Sequence, residues 1–185
     1  MLTKIELEKF YLLLHPRPAY VIGSGKIGEK VNFMAASWVM PMGEEPPLVC
    51  IAIGKNSLTN ELIKTYKQFS INILPIEKLN ELYTIGTISG RNVDKTKIIK
   101  PMEGEEVNAP IAQDAIAVIE CELWDKVESN DVTLFIGQVL NVKVDERYFN
   151  PKTGWTIKEN PIPLHNWGRG FFKVGQFIMA KTLQQ

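Results

Sequence analysis

The chain has little of what most reaction centres are assembled from. Its 185 residues include two histidines, His15 and His165, and two cysteines, Cys50 and Cys121. Two imidazoles are too few for a histidine-based zinc site, and no cysteine or carboxylate cluster completes one. The cysteines lie far apart in strand-like runs with no CxxC spacing. That pattern argues against a disulfide framework and fits buried thiols in a reducing cytoplasm. Charge of one sign is also missing, since 21 basic residues balance 21 acidic ones. Without a basic field there is no pointer to nucleic acid, and without a polybasic patch none to a membrane surface. No apolar run reaches transmembrane length, and the opening MLTKIELEKF mixes charges into its apolar residues without a signal-peptide core. No internal repeat or low-complexity segment occurs. No Ser-His-Asp arrangement shows in the spacing, although triads follow no fixed sequence order. These absences leave a cytoplasmic protein whose length fits a single domain over residues 1–185.

What is present centres on Lys30 to Tyr66. Val31 to Met40 reads as a strand whose pleat separates Val31, Phe33, Ala35, Ser37 and Val39 from Asn32, Met34, Ala36, Trp38 and Met40. The small residues Ala35, Ala36 and Ser37 fall where a buried strand normally carries bulk, so a flat molecule could approach the backbone there. A turn from Pro41 to Pro47 precedes the apolar strand Leu48 to Ile53. Leu58, Leu62 and Tyr66 then recur at helical spacing behind Ser57, a candidate N-cap. Free N–H groups, the hydroxyls of Ser57 and Thr59, and Lys55 would converge on that helix start, which suits a phosphate. A capped helix with no ligand accounts for the same local sequence. Trp38 is compatible with either core filling or a ligand contact.

The remaining chain reads as mainly β. Ile5 to Leu14 is compatible with a short helix or an edge strand, and His15-Pro16-Arg17-Pro18 breaks it. Ala19 to Ser24 is a strand. The run Gly23-Ser24-Gly25-Lys26-Ile27-Gly28 has the look of GxGxxG but no following helix, which makes it a hairpin turn. Gln68 to Leu74 alternates as a strand, and Ile76 to Ile85 is helical. An irregular excursion from Gly86 to Asp114 is too long for a hairpin loop. It carries Ile88, Val93, Ile98, Ile99, Val107 and Ile111, apolar residues that, with Ile85 before it, a partner subunit could cover. Ala115 to Lys126 and Thr133 to Val144 form a long hairpin. The pairs Glu44-Glu45 and Glu105-Glu106, and Glu120 with Glu122, read as solvated charges. About six strands joined by hairpins, with two inserted helices, predict an antiparallel barrel. A dinucleotide fold would need a Gly-rich turn inside a βαβ unit, and none is present.

Several segments together resemble the flavin reductase-like family, which includes flavoredoxin. They are Pro16-Arg17-Pro18-Ala19-Tyr20-Val21-Ile22, Asn32-Phe33-Met34-Ala35-Ala36-Ser37-Trp38-Val39 and Pro46-Pro47-Leu48-Val49. The similarity continues through Lys55, Ser57 and Thr59, the strand Phe69 to Pro75, Ser89-Gly90 with Asp94-Lys95, and Leu164 to Phe171. The resemblance implies a homodimer of six-stranded Greek-key split barrels, each binding FMN near the subunit interface. Its implied ring contacts are Asn32, Met34, Ala35, Ala36, Ser37 and Trp38. Its implied phosphate contacts are Lys55, Asn56, Ser57 and Thr59, with Ser89 and Gly90 close to the flavin. Lys55 stands where many members of that family carry Arg, and His165-Asn166-Trp167-Gly168 departs from their HxGG. His165 is the candidate catalytic residue, beside the flavin or the nicotinamide of an NAD(P)H donor. There it would be shifted toward its charged form by a reduced, anionic flavin, with Arg169 pairing the donor's phosphates. The resemblance thus implies an NAD(P)H-dependent flavin oxidoreductase, serving free flavin, ferric iron or a partner redox protein. A non-catalytic FMN-binding electron carrier is the alternative, and a split barrel that has lost flavin a third.

Overall fold

The computed structural model describes residues 2–156 and 161–180. Its centre is one antiparallel sheet. In chain order the strands are β1 (Tyr20–Gly25), β2 (Val31–Ala36), β3 (Val39–Glu44), β4 (Pro47–Gly54), β5 (Gln68–Ile73), β6 (Ala117–Glu128) and β7 (Val132–Val144). They pair side by side as β2-β1-β5-β6-β7-β4-β3. Helix α1 (Leu58–Tyr66) links β4 to β5, and α2 (Leu79–Thr87) follows β5. Near the C-terminus, β8 (Pro163–Trp167) and β9 (Gly170–Lys173) join the short Arg17–Pro18 segment in a separate sheet.

The main sheet has seven hydrogen-bonded strands rather than the expected six, and its pairing does not close into a barrel. The reason lies at Ser37-Trp38. Val31 to Met40 is not one strand, because the ladder to β1 ends at Ala36 and a new ladder to β4 begins at Val39. The Pro41–Pro47 stretch, expected as a turn, therefore supplies most of β3. Since β2 and β3 are the two edges of the sheet, their direct link through Ser37 and Trp38 draws the edges together. Trp38 keeps that junction by accepting the N–H of Ala52 at 2.9 Å. The rolled sheet encloses a core of Ile22, Val49, Ile51, Ile53, Phe69, Ile71, Cys121 and Phe135, which Ile63 of α1 completes. A second cluster, with Val21, Phe33, Leu82 and Ile85, packs α2 against the outer face of β1 and β2. Opposite faces of β2 thus serve two cores, as its alternation requires.

Leu7–Leu14 forms a 3-10 helix rather than an edge strand. The Gly23–Gly28 run is the hairpin turn between β1 and β2. The excursion after α2 departs from expectation. Ile85, Ile99, Val107 and Ile111 are buried within their own chain, so most of the segment needs no partner subunit to cover it; Val93 is exposed. Two polar groups of β5 draw it back onto the sheet. Ser70 Oγ donates to the Pro110 carbonyl at 2.6 Å, and Asn72 Oδ1 accepts the Ala112 N–H at 2.8 Å.

Glu120 is likewise no solvated charge, being 1% exposed. Its Oε2 accepts the backbone N–H groups of Glu105 and Glu106, each at 2.9 Å, and Val107 at 3.1 Å. Asn141 donates to Oε1 at 2.9 Å. Burial opposes ionisation, but these donors outweigh it and hold the carboxyl below its ordinary range. A carboxyl depressed in the folded state contributes stability that is whole above the unfolded value of ~4.3 and is lost as pH falls through the folded value. Hydrogen exchange should therefore show the amides of residues 105–107 losing protection as the solution is acidified below that window. Glu120→Gln should expose the same amides at neutral pH, because charge-assisted bonds contribute ~1.5–3 kcal/mol each. Unchanged protection in the variant would remove Glu120 as the anchor of this loop.

Candidate functional site

Two adjoining cavities lie where α1 and α2 face β2. The first, about 300 Å³, is lined by Asn32 and Met34 of β2, Ser57 and Thr59 at the start of α1, and Gly86 to Gly90 with Lys95. The second, about 340 Å³, is lined by Ala35, Ala36 and Ser37, by Tyr83, Gly86 and Thr87 of α2, and by His165, Trp167 and Phe171. Gly86 and Thr87 belong to both, so the two form one groove along β2.

The polar end is built by α1. Ser57 is its N-cap, its Oγ accepting the Asn60 N–H at 3.1 Å and donating to the Gly54 carbonyl at 2.8 Å. The first helical turn leaves the N–H groups of Leu58 and Thr59 without partners inside the helix. Thr59 is buried, and its Oγ1 accepts Asn32 Nδ2 at 2.9 Å, which ties β2 to the helix start. Gly90 covers this pair so closely that a Cβ there would overlap Asn32 Oδ1. Ser89 turns the chain, its carbonyl accepting the N–H groups of Asn92 and Val93, each at 3.0 Å.

The cation of this end is Lys95, which is 5% exposed, and not Lys55. Lys95 Nζ donates to the Ile85 carbonyl at 2.7 Å, and burial pushes its pKa down. Lys55 points elsewhere, toward the Ser129 carbonyl and, at 3.4 Å, Glu128. Glu128 gathers Lys64 and Lys126 as well as Lys55, and these lysines hold its carboxyl at about 2. Asn56 lies exposed in the turn before α1 and lines neither cavity.

The other end is apolar and aromatic. Ala35 and Ala36 leave space against α2, where Gly86 comes so near that a Cβ would stand 3.0 Å from that of Ala35. Trp38 is not in the groove. It is 41% exposed, with the Arg17 guanidinium over its ring at 5.6 Å and Tyr11 beside it. His165 sits in β8, its ring 4.9 Å from Phe171 and 5.2 Å from His15. Its Nε2 lies 3.4 Å from the Gly168 carbonyl, an acceptor only, so the neutral ring carries its proton there. Burial lowers the His165 pKa, the Gly168 bond opposes this, and the nearby His15 and Arg17 charges add to the fall. In the protein itself the shift is thus away from the charged form. Arg169 lies at the rim, 5.9 Å from the Tyr83 ring.

The groove therefore unites Asn32, Met34, Ala35, Ala36, Ser37, Ser57, Thr59, Ser89, Gly90 and His165, and omits Trp38, Lys55 and Asn56. Sequence reasoning named no site role for Gly86, Thr87 or Tyr83, and read Lys95 and Phe171 only as parts of family-like segments. The one local signal for Lys95 is Asp94, which caps a tight turn by accepting the Thr96 N–H at 3.0 Å.

This architecture is that of a split-barrel flavoprotein. The family model described as "Flavin reductase like domain" matches residues 12–175, and the chain belongs to that family. YddH, an uncharacterized protein of Escherichia coli, is 32% identical over 175 residues, covering 91% of this chain and 92% of its own. The FMN-binding protein of Thermus thermophilus, solved with 1-cyclohex-2-enone, superposes with a TM-score of 0.86 at 25% identity, over 98% of each chain. The flavoredoxin of Desulfovibrio vulgaris gives 0.83 at 27% identity, over 96% of this chain and 97% of its own. The chain's role is a flavin-related redox one. No described helix is long and apolar enough to cross a membrane.

Proposed function

We propose that the groove binds FMN, with its phosphate at the start of α1 and its ring along Ala35, Ala36 and Ser37, and that the protein is an NAD(P)H-dependent flavin oxidoreductase. The observation that carries this reading is the pairing of the two ends. Unpaired helix N–H groups, two hydroxyls and a buried lysine stand at one end, and space between small residues stands at the other. A phosphate monoester on a flat ring fits that donor set. Bound FMN supplies hydride acceptance from a nicotinamide and electron delivery to an acceptor. The chain's own part is to bind and orient. Asn32 and Thr59 fix β2 against α1, and Ser37 offers a hydroxyl to the ring's polar edge. Neutral His165 lines the ring end, its Nε2 proton held by Gly168, which leaves Nδ1 as the acceptor nitrogen of the ring. Free flavin, ferric iron and a partner redox protein are the acceptor classes.

The similarity to a flavoredoxin supports a second reading, an FMN-binding electron carrier. Steady-state NAD(P)H oxidation with added FMN separates the two, since a carrier shows little turnover. For both, FMN should bind more than tenfold tighter than riboflavin, because each charge-assisted bond to the phosphate contributes ~1.5–3 kcal/mol. Equal dissociation constants would sink the phosphate assignment, and a colourless protein that takes up no FMN would sink both readings. The assembly proposed with it is a homodimer. Its support is the edge strand β3, where Met40 and Met42 are exposed beside Trp38, a surface that isolated domains seldom leave uncovered. Sedimentation at micromolar concentration measures it.

A further inference from the structure

We infer that His15 is the positioning residue of His165: it fixes the strand that carries His165, and its charge keeps that imidazole in the neutral form that offers the groove an acceptor. This rests on the FMN reading above, in which His165 lines the ring end, and adds a residue that does not itself line the groove.

The chain's two histidines, 150 residues apart in sequence, meet at this end of the groove. The pairing of Arg17 with His165 and of Pro18 with Leu164 lays the N-terminal segment along β8. His15, in extended backbone two residues before Arg17, reaches across to the same strand. Its Nδ1 lies 2.9 Å from the His165 carbonyl oxygen. That oxygen can only accept, so this nitrogen carries a proton whether the His15 ring is neutral or charged. The bond therefore holds β8 at His165 in both states. The two rings stand edge to face, their centroids 5.2 Å apart at 83°. Phe171, opposite His165 in the β8–β9 ladder, brings its own ring to 4.9 Å. These contacts fix the His165 side chain where it lines the cavity.

The same contact governs the charge of His165. A neutral imidazole has one donor and one acceptor, whereas a charged one has donors only. With the Nε2 proton turned to the Gly168 carbonyl, a further proton falls on Nδ1 and removes the acceptor. The surroundings oppose that step. Burial disfavours the charged ring, the positive charges of His15 and Arg17 add to this, and the Gly168 carbonyl works against them. The other elements around the ring supply Tyr83 of α2, Phe171 of β9 and Arg169 of the hairpin tip, none of them a carboxylate. Arg17 is charged throughout, its guanidinium over Trp38 and bonded to the Leu14 and Tyr11 carbonyls. An imidazole instead gains charge as the solution is acidified. Acid that would protonate His165 therefore also charges the ring beside it, and two positive imidazoles at this separation repel.

The test is a proton NMR titration of the imidazole Cε1 protons in flavin-free protein, with circular dichroism confirming that each variant is folded. Two histidines give two signals, and His165→Gln assigns them. Wild-type His165 should titrate below the ordinary value of ~6.5. His15→Gln keeps an amide donor for the His165 carbonyl but loses the charge, and should raise the His165 midpoint by ~0.5 of a pH unit or more. His15→Lys restores a positive charge and should keep the midpoint low. A midpoint unmoved in His15→Gln, or raised equally in His15→Lys, overturns the inference. With FMN bound, the acid limb of flavin reduction by NAD(P)H should move to higher pH in His15→Gln, with the FMN dissociation constant within about twofold of wild type. A rate profile that stays in place while the midpoint moves overturns the link to the groove. A protein that takes up no flavin defeats the FMN reading instead, and the titration still decides whether His15 governs His165.

Discussion

Gly23→Ala is expected to cost the protein most of its stability, although alanine is the smallest side chain that could be added. Gly23 lies in β1 between Phe33 of β2 and Ser70 of β5. Its φ is unexceptional, so the requirement is for space and not for conformation. A Cβ at this position would overlap the carbonyl oxygen of Pro110 and the hydroxyl of Ser70, and would stand 3.1 Å from the Pro110 carbonyl carbon. Neither obstacle can retreat cheaply. The Pro110 carbonyl is the acceptor of Ser70, and the Ala112 N–H is fixed by Asn72, so a shift releases the return of the excursion from the sheet. Buried acceptors left without donors cost ~1–3 kcal/mol each, on top of the overpacking of ~1–3 kcal/mol. Together these approach the whole ~5–15 kcal/mol that holds an ordinary domain together. Gly28→Ala is the matched control. Its φ of +83° strains any side chain, but nothing lies within 4 Å of the added carbon, and the loss should stay near ~1 kcal/mol. Urea unfolding of the two variants checks the contrast, and similar midpoints would mean that the Pro110 contact is not what Gly23 protects.

How far the sequence foretold this molecule depends on the kind of interaction. Strands such as Gln68 to Ile73 and the long hairpin of β6 and β7 follow from alternation, a local property that one core face enforces. Helix α1 follows from Ser57 and the spacing of Leu58, Leu62 and Tyr66, and the N-cap bond is present. The break at Ser37-Trp38 was not legible. Val31 to Met40 is uniformly strand-compatible, and only the pairing of β3 with β4 at the far edge of the sheet divides it. Glu120 and Lys95 escaped for one shared reason. Glu120 read as a solvated charge and Lys95 only as part of a family-like segment, and what buries them is chain distant in sequence: residues 105–107 over Glu120, and α1 and α2 around Lys95. Lys55 shows the converse. Its place beside the helix start suggested a phosphate contact, yet Glu128, at the end of β6 and brought across by the β6–β7 and β7–β4 pairings, takes the charge instead. The apolar residues of the excursion called for cover, and Ile99, Val107 and Ile111 find it within their own chain, while Val93 stays exposed.

The last expectation concerns the seam between the two cavities. Gly86 is the residue of α2 that faces β2 at the point where the cavities meet, and Ala35 lies opposite. Glycine weakens a helix by ~1 kcal/mol relative to alanine, so α2 sacrifices stability at this position. The gain is an open strip along Ala35 and Ala36 through which a planar ring can reach from the aromatic end to the phosphate end. Gly86→Leu should close that strip, because four further carbons must go either into the groove or against Ala35. Overpacking of this kind costs ~1–3 kcal/mol, which corresponds to ~5- to 150-fold in flavin affinity. Fold stability should change little, since the better helix former offsets the pressure on β2. Gly86→Ala should act more weakly, its Cβ only 3.0 Å from that of Ala35, and Ala35→Gly in the same chain should relieve it. The measurements are flavin dissociation constants beside thermal midpoints for the three variants. A Gly86→Leu protein that binds flavin as wild type does would mean that the ring does not cross the seam, and the two cavities would then have to be assigned separate occupants.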